Sequence, residues 1–249
     1  MVHEPTRKRI LLVRHAQAEH NVASDWEIPD APLTKVGRRQ AGNLHAATRT
    51  GLQATAELLV TSPMRRALET TLVGLPNLKE RLEAQGKPTI VLDLAQEVGD
   101  EPCDVPLHPV EALAASNDGM FQRAGLDFST LSPDYASKKG IFDPDNTEER
   151  ARQLRQWLRA RPEREIVLVA HGDILRYLVD GYHSSRRWEH CAVLLTTFET
   201  NEHDWDARLV EVGPRGIVEP TRRPNHVFWS DIVERIATPT IEAPKILSC

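Results

Sequence analysis

Cysteine is scarce in this chain: Cys103, Cys191 and Cys249 are the only three among 249 residues. An odd number with no C-x-x-C pair argues against a disulfide framework and a structural zinc site, and fits free thiols in a reducing compartment. There is no N-x-[ST] sequon. The opening MVHEPTRKRI has no apolar stretch of a secretory signal, and no apolar run approaches the about 20 residues that cross a bilayer. A soluble cytoplasmic protein with no membrane partner is the expectation. A basic excess is also missing, since the formal net charge is −5. Nucleic acid is therefore not expected as a partner. The short basic runs at Arg7 and Arg222 read as solvated faces. Four fingerprints are absent as well: G-x-G-x-x-G, G-x-x-x-x-G-K-[ST], H-E-x-x-H and G-x-S-x-G. Their absence removes the simplest support for dinucleotide, P-loop, zinc-protease and α/β-hydrolase readings.

What the chain does have is a rhythm of short aliphatic runs: RILLVRH (9–15), ELLVTSP (57–63), TIVLDLA (89–95) and EIVLVAH (165–171). The first and last are continuously apolar, as strands covered on both faces should be. CAVLLTTFET and ARLVEVG read as two further strands joined by a polar, hairpin-like loop. Helical patterns lie between the strands. One opens at Thr34, a capping residue, with Val36, Ala41, Leu44 and Ala47 on its apolar face. A second follows Ser62 with Pro63 at its first position. A third begins at Asn146 or Thr147 and carries Ala151, Leu154 and Leu158. The last, GDILRYLVDGYH, follows His171 directly.

Strands alternating with helices predict a three-layer α/β/α sandwich around a mostly parallel sheet. Its length suits a single domain over residues 1–249. Residues 97–145 form a long, proline-rich insertion containing the helix-like VEALAASN. Residues 214–249 hold five prolines and one short helix candidate, SDIVERIA, and read as a surface tail.

In open α/β sheets the ligand crevice lies at the carboxyl ends of the parallel strands. Here those ends read VRHAQAEHN, TSPMRRA, LAQE and VAHGD. They gather Arg14, His15, Asn21, Arg65 or Arg66, Glu97 and His171 at one edge. Arginines offer bidentate donors to phosphate oxygens, and an imidazole can act as a covalent nucleophile. Singly, each of these residues has an ordinary structural role. Their joint occurrence at four strand ends points to phosphate chemistry.

These residues carry a resemblance. LLVRHAQAEHN resembles the R-H-G nucleophile motif of the histidine phosphatase (phosphoglycerate-mutase-like, branch 1) superfamily. LTKVGRRQA is similar to its L-T-x-x-G-x-x-Q-A segment, TSPMRRALETT to S-P-x-x-R-A-x-x-T, and VLVAHGDILRYL to the V-x-H-G segment of the second histidine. The likeness runs in order over roughly residues 9–200 and selects Arg66 over Arg65. It implies His15 as nucleophile through a phosphohistidine, and Arg14, Arg66 and His171 as holders of the transferring group. It further implies Asn21 and Gly172 as phosphate or substrate contacts and Glu97 as general acid/base. Neither a metal nor any other cofactor is implied.

The departures from the pattern are informative. Ala16 stands for the motif glycine, and Ala18 stands where a hydroxyl is common. QEVGDEPCD replaces the mutase substrate stretch and resembles a fungal group of mutase-like proteins. The expectation is hydrolysis of a small-molecule phosphate ester. The alternatives are a mutase-type phosphotransferase, a phosphatase recruited to biosynthesis for an organic phosphate or diphosphate, and a non-catalytic binding member. Cys103, Asp104, His108, Arg123, Lys138 and Lys139 of the insertion are candidates for the non-phosphate part of a ligand. His183, His190 and Cys191 read as structural.

Overall fold

The computed structural model describes residues 8–199, 205–213 and 216–218. Seven strands, β1 (Arg9–Arg14), β2 (Leu58–Thr61), β3 (Ile90–Val91), β4 (Glu165–Ala170), β5 (Val193–Phe198), β6 (Leu209–Gly213) and β7 (Gly216–Val218), form one sheet. Its order is β3-β2-β4-β1-β5-β6-β7. The first four in that order pair parallel, and β5, β6 and β7 continue antiparallel. The expected hairpin of β5 and β6 is therefore present.

Among the described residues, eight α-helices accompany the sheet: α1 (Glu19–Ala23), α2 (Lys35–Thr48), α3 (Leu52–Thr55), α4 (Arg65–Gly74), α5 (Pro76–Glu83), α6 (Val110–Arg123), α7 (Thr147–Ala160) and α8 (Gly172–Val179). Alternation along the central strands sorts them into layers. Ile10, Leu12, Ile166 and Leu168 pack with Leu154 and Leu158 of α7 and Ile174 and Leu178 of α8. Leu11, Val13, Val167 and Val169 face the other way, onto Ala41 and Leu44 of α2, Ala67 of α4 and Leu78 of α5. Both faces of β4 are buried along its whole length, which is why its sequence shows no polar alternation. The result is the three-layer sandwich.

Several local expectations change. Val36 is exposed, and Gly37 faces inward in its place. A Cβ on Gly37 would lie 2.0 Å from the Gln17 carbonyl oxygen, so only glycine lets α2 approach the loop after β1. The same contact is tied by Gln17 N–H to Gln40 Oε1 at 2.9 Å and by Thr34 N–H to Gln17 O at 3.1 Å. Thr34 caps α2 as expected, its hydroxyl accepting Gly37 N–H.

Pro63 does not open a helix. α4 starts at Arg65, where the buried Asp30 carboxylate accepts the Arg65 N–H at 3.0 Å and caps the helix from a distant loop. The third aliphatic run makes only two residues of strand before a 3-10 turn, Asp93–Ala95. There the Asp93 carboxylate accepts the Ser132 N–H and hydroxyl and pulls the chain out of the sheet. Asn146 precedes α7, but its amide donates to Gly140 O instead of capping.

The insertion carries α6, whose course breaks at Ser116–Gly119, and a small core of Leu113 and Phe121 against Leu68 and Val91. The helix candidate SDIVERIA lies outside the described residues. Among the described residues, no helix is long and apolar enough to cross a membrane.

Candidate active site

Parallel register puts the catalytic candidates side by side. Arg14 pairs with Ala170 across β1 and β4, so His15 and His171 leave the sheet as neighbours. His15 N–H bonds Ala170 O at 2.9 Å, and the two imidazole centroids are 5.0 Å apart. Arg66, one residue into α4, reaches the same point: its Nε–H donates to His171 Nδ1 at 3.2 Å. All three of His15, Arg66 and His171 are at most 2% exposed. Arg65, the other arginine of the pair, points elsewhere and donates to Asn117 Oδ1 at 2.8 Å.

The hydrogen bonds fix both tautomers. The Ala16 carbonyl can only accept, so the 2.7 Å contact to His15 Nδ1 places the proton there and leaves the lone pair on Nε2. At His171 the roles reverse. Nδ1 accepts from Arg66, and Nε2–H donates to Ser62 Oγ at 2.8 Å. Both imidazoles titrate well below their ordinary value. Burial is the main cause, followed by the Arg66 charge. Each is therefore neutral at pH 7.

Arg14 lies across Gly172, where a Cβ would come within 3.5 Å of its Nε. It is anchored by donation from Nη1 to the Trp188 carbonyl. Glu97 sits at the amino end of α8. Its Oε1 accepts the main-chain N–H groups of Val98 at 3.0 Å and Ile174 at 3.2 Å, and Oε2 accepts that of Asp173 at 3.4 Å. Burial, together with the charges of Asp104 and Asp173, pushes its carboxyl above the ordinary carboxylate range. Asn21 stands one step back from the centre. It binds the loop through Ala18 N–H and contacts the rings of His20 and His190.

The structure thus gathers Arg14, His15, Arg66, His171 and Gly172, with Glu97 at the adjoining helix end. Four further neighbours adjoin the site, among them Asp104 and Lys138, which the sequence offers as candidates for the non-phosphate part of a ligand. Ser62 holds His171. His190, expected to be merely structural, has its ring centroid 5.8 Å from that of His15, whereas His183 is exposed. Asp104 accepts from Arg66 Nη2 at 2.8 Å, and the Cys103 carbonyl accepts from Nη1 at 2.5 Å. Lys138, only 9% exposed, donates to the Glu97 carbonyl at 3.0 Å. Arg123 only closes a turn, donating to Asp118 O. Ser62 was reachable from its place in the T-S-P segment, whereas the sequence offers Asp104 and Lys138 as ligand candidates without showing that they meet Arg66 and Glu97. Among the described residues, no group of His, Cys, Asp and Glu is arranged to hold a metal ion.

Sheet order, layers and a histidine–arginine crevice at the carboxyl edge define the class: an α/β sandwich of the phosphoglycerate-mutase-like kind. The chain belongs to the histidine phosphatase superfamily, branch 1, whose family model matches residues 10–86. A Schizosaccharomyces pombe protein named as a probable phosphatase is 31% identical over 176 residues, covering 68% of this chain and 76% of that one. An Arabidopsis thaliana phosphoglycerate mutase-like protein is 28% identical over 209 residues, covering 70% and 74%. A solved Escherichia coli structure, described as a candidate alpha-ribazole-5'-P phosphatase, superposes with a TM-score of 0.51 at 19% identity. It covers 86% of this chain and 99% of that one, and it bears on the fold alone.

Proposed function

We propose that this protein is a phosphatase that hydrolyses a small-molecule phosphomonoester through a phosphohistidine on His15. The observation that carries this reading is the state of His15. Its Nδ1–H is tied to its own chain, and its Nε2 lone pair is free beside two guanidinium groups and a second imidazole. Nε2 attacks phosphorus as the ester P–O bond breaks, and the departing alkoxide takes a proton from Glu97. The Glu97 carboxylate then takes a proton from water, whose oxygen attacks the phosphohistidine and releases inorganic phosphate. Arg14, Arg66 and His171 oppose the charge that builds on the equatorial oxygens. The raised Glu97 pKa favours the protonated form the first step needs.

Hydrolysis of p-nitrophenyl phosphate by wild type and His15→Ala tests the assignment. The variant should lose at least about 10³-fold in kcat, as nucleophile removal does elsewhere, and acid-labile phosphate should be trapped on wild type alone. Equal turnover by the two proteins removes His15 as nucleophile.

A further inference from the structure

The loop from His15 to Asn21 offers no hydroxyl to a ligand. Its side chains are Ala16, Gln17, Ala18, Glu19 and His20, and Gln17 is bonded to Thr34 at 2.9 Å. What it offers instead is set by Asn21. Oδ1 of that amide accepts the Ala18 main-chain N–H at 3.0 Å. Because a main-chain N–H only donates, this contact fixes which end of the amide is oxygen. The other end, Nδ2, is a donor, and it meets His20 Nε2 at 2.8 Å. His20 Nε2 therefore accepts, and the neutral ring carries its proton on Nδ1. On the far side, His190 Nε2–H donates to the same Asn21 Oδ1 at 3.1 Å, completing the relay.

His20 is 4% exposed, and its Nδ1 is buried with no hydrogen-bond partner. Buried donors are nearly always satisfied, so this one calls for an acceptor. Its surroundings name the kind of acceptor. The ring centroid lies 6.1 Å from that of His15, and the charges of Arg66 and Arg14 act on it after burial itself, holding its pKa down at about 3. Arg14, whose charge acts on the same ring, has in its Nε a second buried donor without a partner. Two unsatisfied donors next to the proposed nucleophile, in a cationic field, match an oxyanion.

We propose that His20 is a phosphate-binding residue, its Nδ1–H donating to an oxygen of the phosphoryl group at His15. The proposal rests on the phosphatase reading above, and its test separates the two. Asparagine places its amide nitrogen near the position of imidazole Nδ1, whereas glutamine reaches towards Nε2. Binding of inorganic phosphate is measured by calorimetry, and KM and kcat on p-nitrophenyl phosphate, for wild type, His20→Phe, His20→Gln and His20→Asn.

The expected result is about tenfold weaker phosphate binding and a raised KM in the Phe and Gln variants. The Asn variant should stay within about threefold of wild type. The His20 Nδ1–H proton resonance should move on phosphate addition. Undiminished phosphate binding by His20→Phe, identical behaviour of the Asn and Gln variants, an unmoved resonance, or no phosphate binding by wild type each overturns the proposal. If His20→Phe melts at a much lower temperature, the Asn and Gln pair decides. Wild type that binds phosphate through His20 yet hydrolyses no ester supports the proposal and removes the phosphatase reading instead.

Discussion

Glu97 stands under two opposing influences. Main-chain N–H groups at the start of α8 favour its ionised form, while burial and the nearby Asp104 and Asp173 charges favour the protonated form, and the second set prevails. Protonating a leaving alkoxide needs the acid, so turnover should fall as pH rises through the raised Glu97 pKa. His15 and His171 titrate well below their ordinary 6.5 and add no limb near neutrality. Glu97→Gln should lose about 10²–10⁴-fold in kcat on an alkyl phosphate, where the leaving group needs the proton. The loss should be smaller in the first step on an aryl phosphate, whose leaving group is stable unprotonated. The alkaline limb of the pH–rate profile should vanish in the variant. A Gln variant with an unchanged limb would assign that ionisation to another group, with Lys138, pulled down to about 7, the first to examine.

Individual elements hold the site from outside it, and their contributions differ in how visible they are in the sequence. α2 braces the loop after His15 through Thr34, Gly37 and Gln40. Gly37→Ala should therefore melt earlier, by about 1–3 kcal/mol of stability for a clash that backbone must absorb. Thermal unfolding reads the loss, and an unchanged melting temperature would refute it. The 3-10 turn Pro102–Asp104 acts on the opposite side. Its Asp104 carboxylate and Cys103 carbonyl take both terminal nitrogens of Arg66, and a Cβ on Gly99 would lie 2.3 Å from Asp104 Oδ2. A phosphate on Arg66 must compete with that carboxylate. Asp104→Asn should then lower the Ki of inorganic phosphate by about fivefold, within the range of a single charge interaction. It should also move the Glu97 limb to lower pH, since the Asp104 charge is among the causes raising it. A weaker phosphate Ki would make Asp104 a support of Arg66 rather than its competitor. The brace and the turn were unequally legible. Thr34, Gly37 and Gln40 share the fixed spacing of one motif, whereas Asp104, offered by the sequence as a ligand candidate, lies 38 residues from Arg66 with nothing to pair the two. The early end of β3 and the far-side capping of α4 by Asp30 were hidden for the same reason: each depends on a partner distant in sequence.

On the scale of the whole molecule, the cost of building this crevice is written in protons. Four histidines are held below their ordinary value of 6.5: His15 and His171 well below it, His190 at about 4 and His20 at about 3, with burial the leading cause in each. Unfolding releases them to take up protons below about pH 6.5, so their contribution to stability is undiminished above that pH and is lost as pH falls. Two carboxyls work the other way. Asp30, raised to about 6, and Glu97, raised by burial, hold protons in the folded state that the unfolded chain gives up. Their effect stabilises the fold as pH drops towards their unfolded values near 4. The histidines outnumber them, so unfolding near pH 5 takes up protons on balance and stability falls as pH drops. Denaturant titrations at pH 7, 6 and 5 should show the midpoint falling steeply over this interval. Saturating inorganic phosphate should raise it at each pH, because a ligand that binds only the folded state adds stability by mass action. His171→Asn, which keeps a short polar group but not the buried imidazole, should flatten the slope by up to one proton's worth, about 1.4 kcal/mol per pH unit. A slope unchanged by that substitution would show that the acid sensitivity arises outside the crevice.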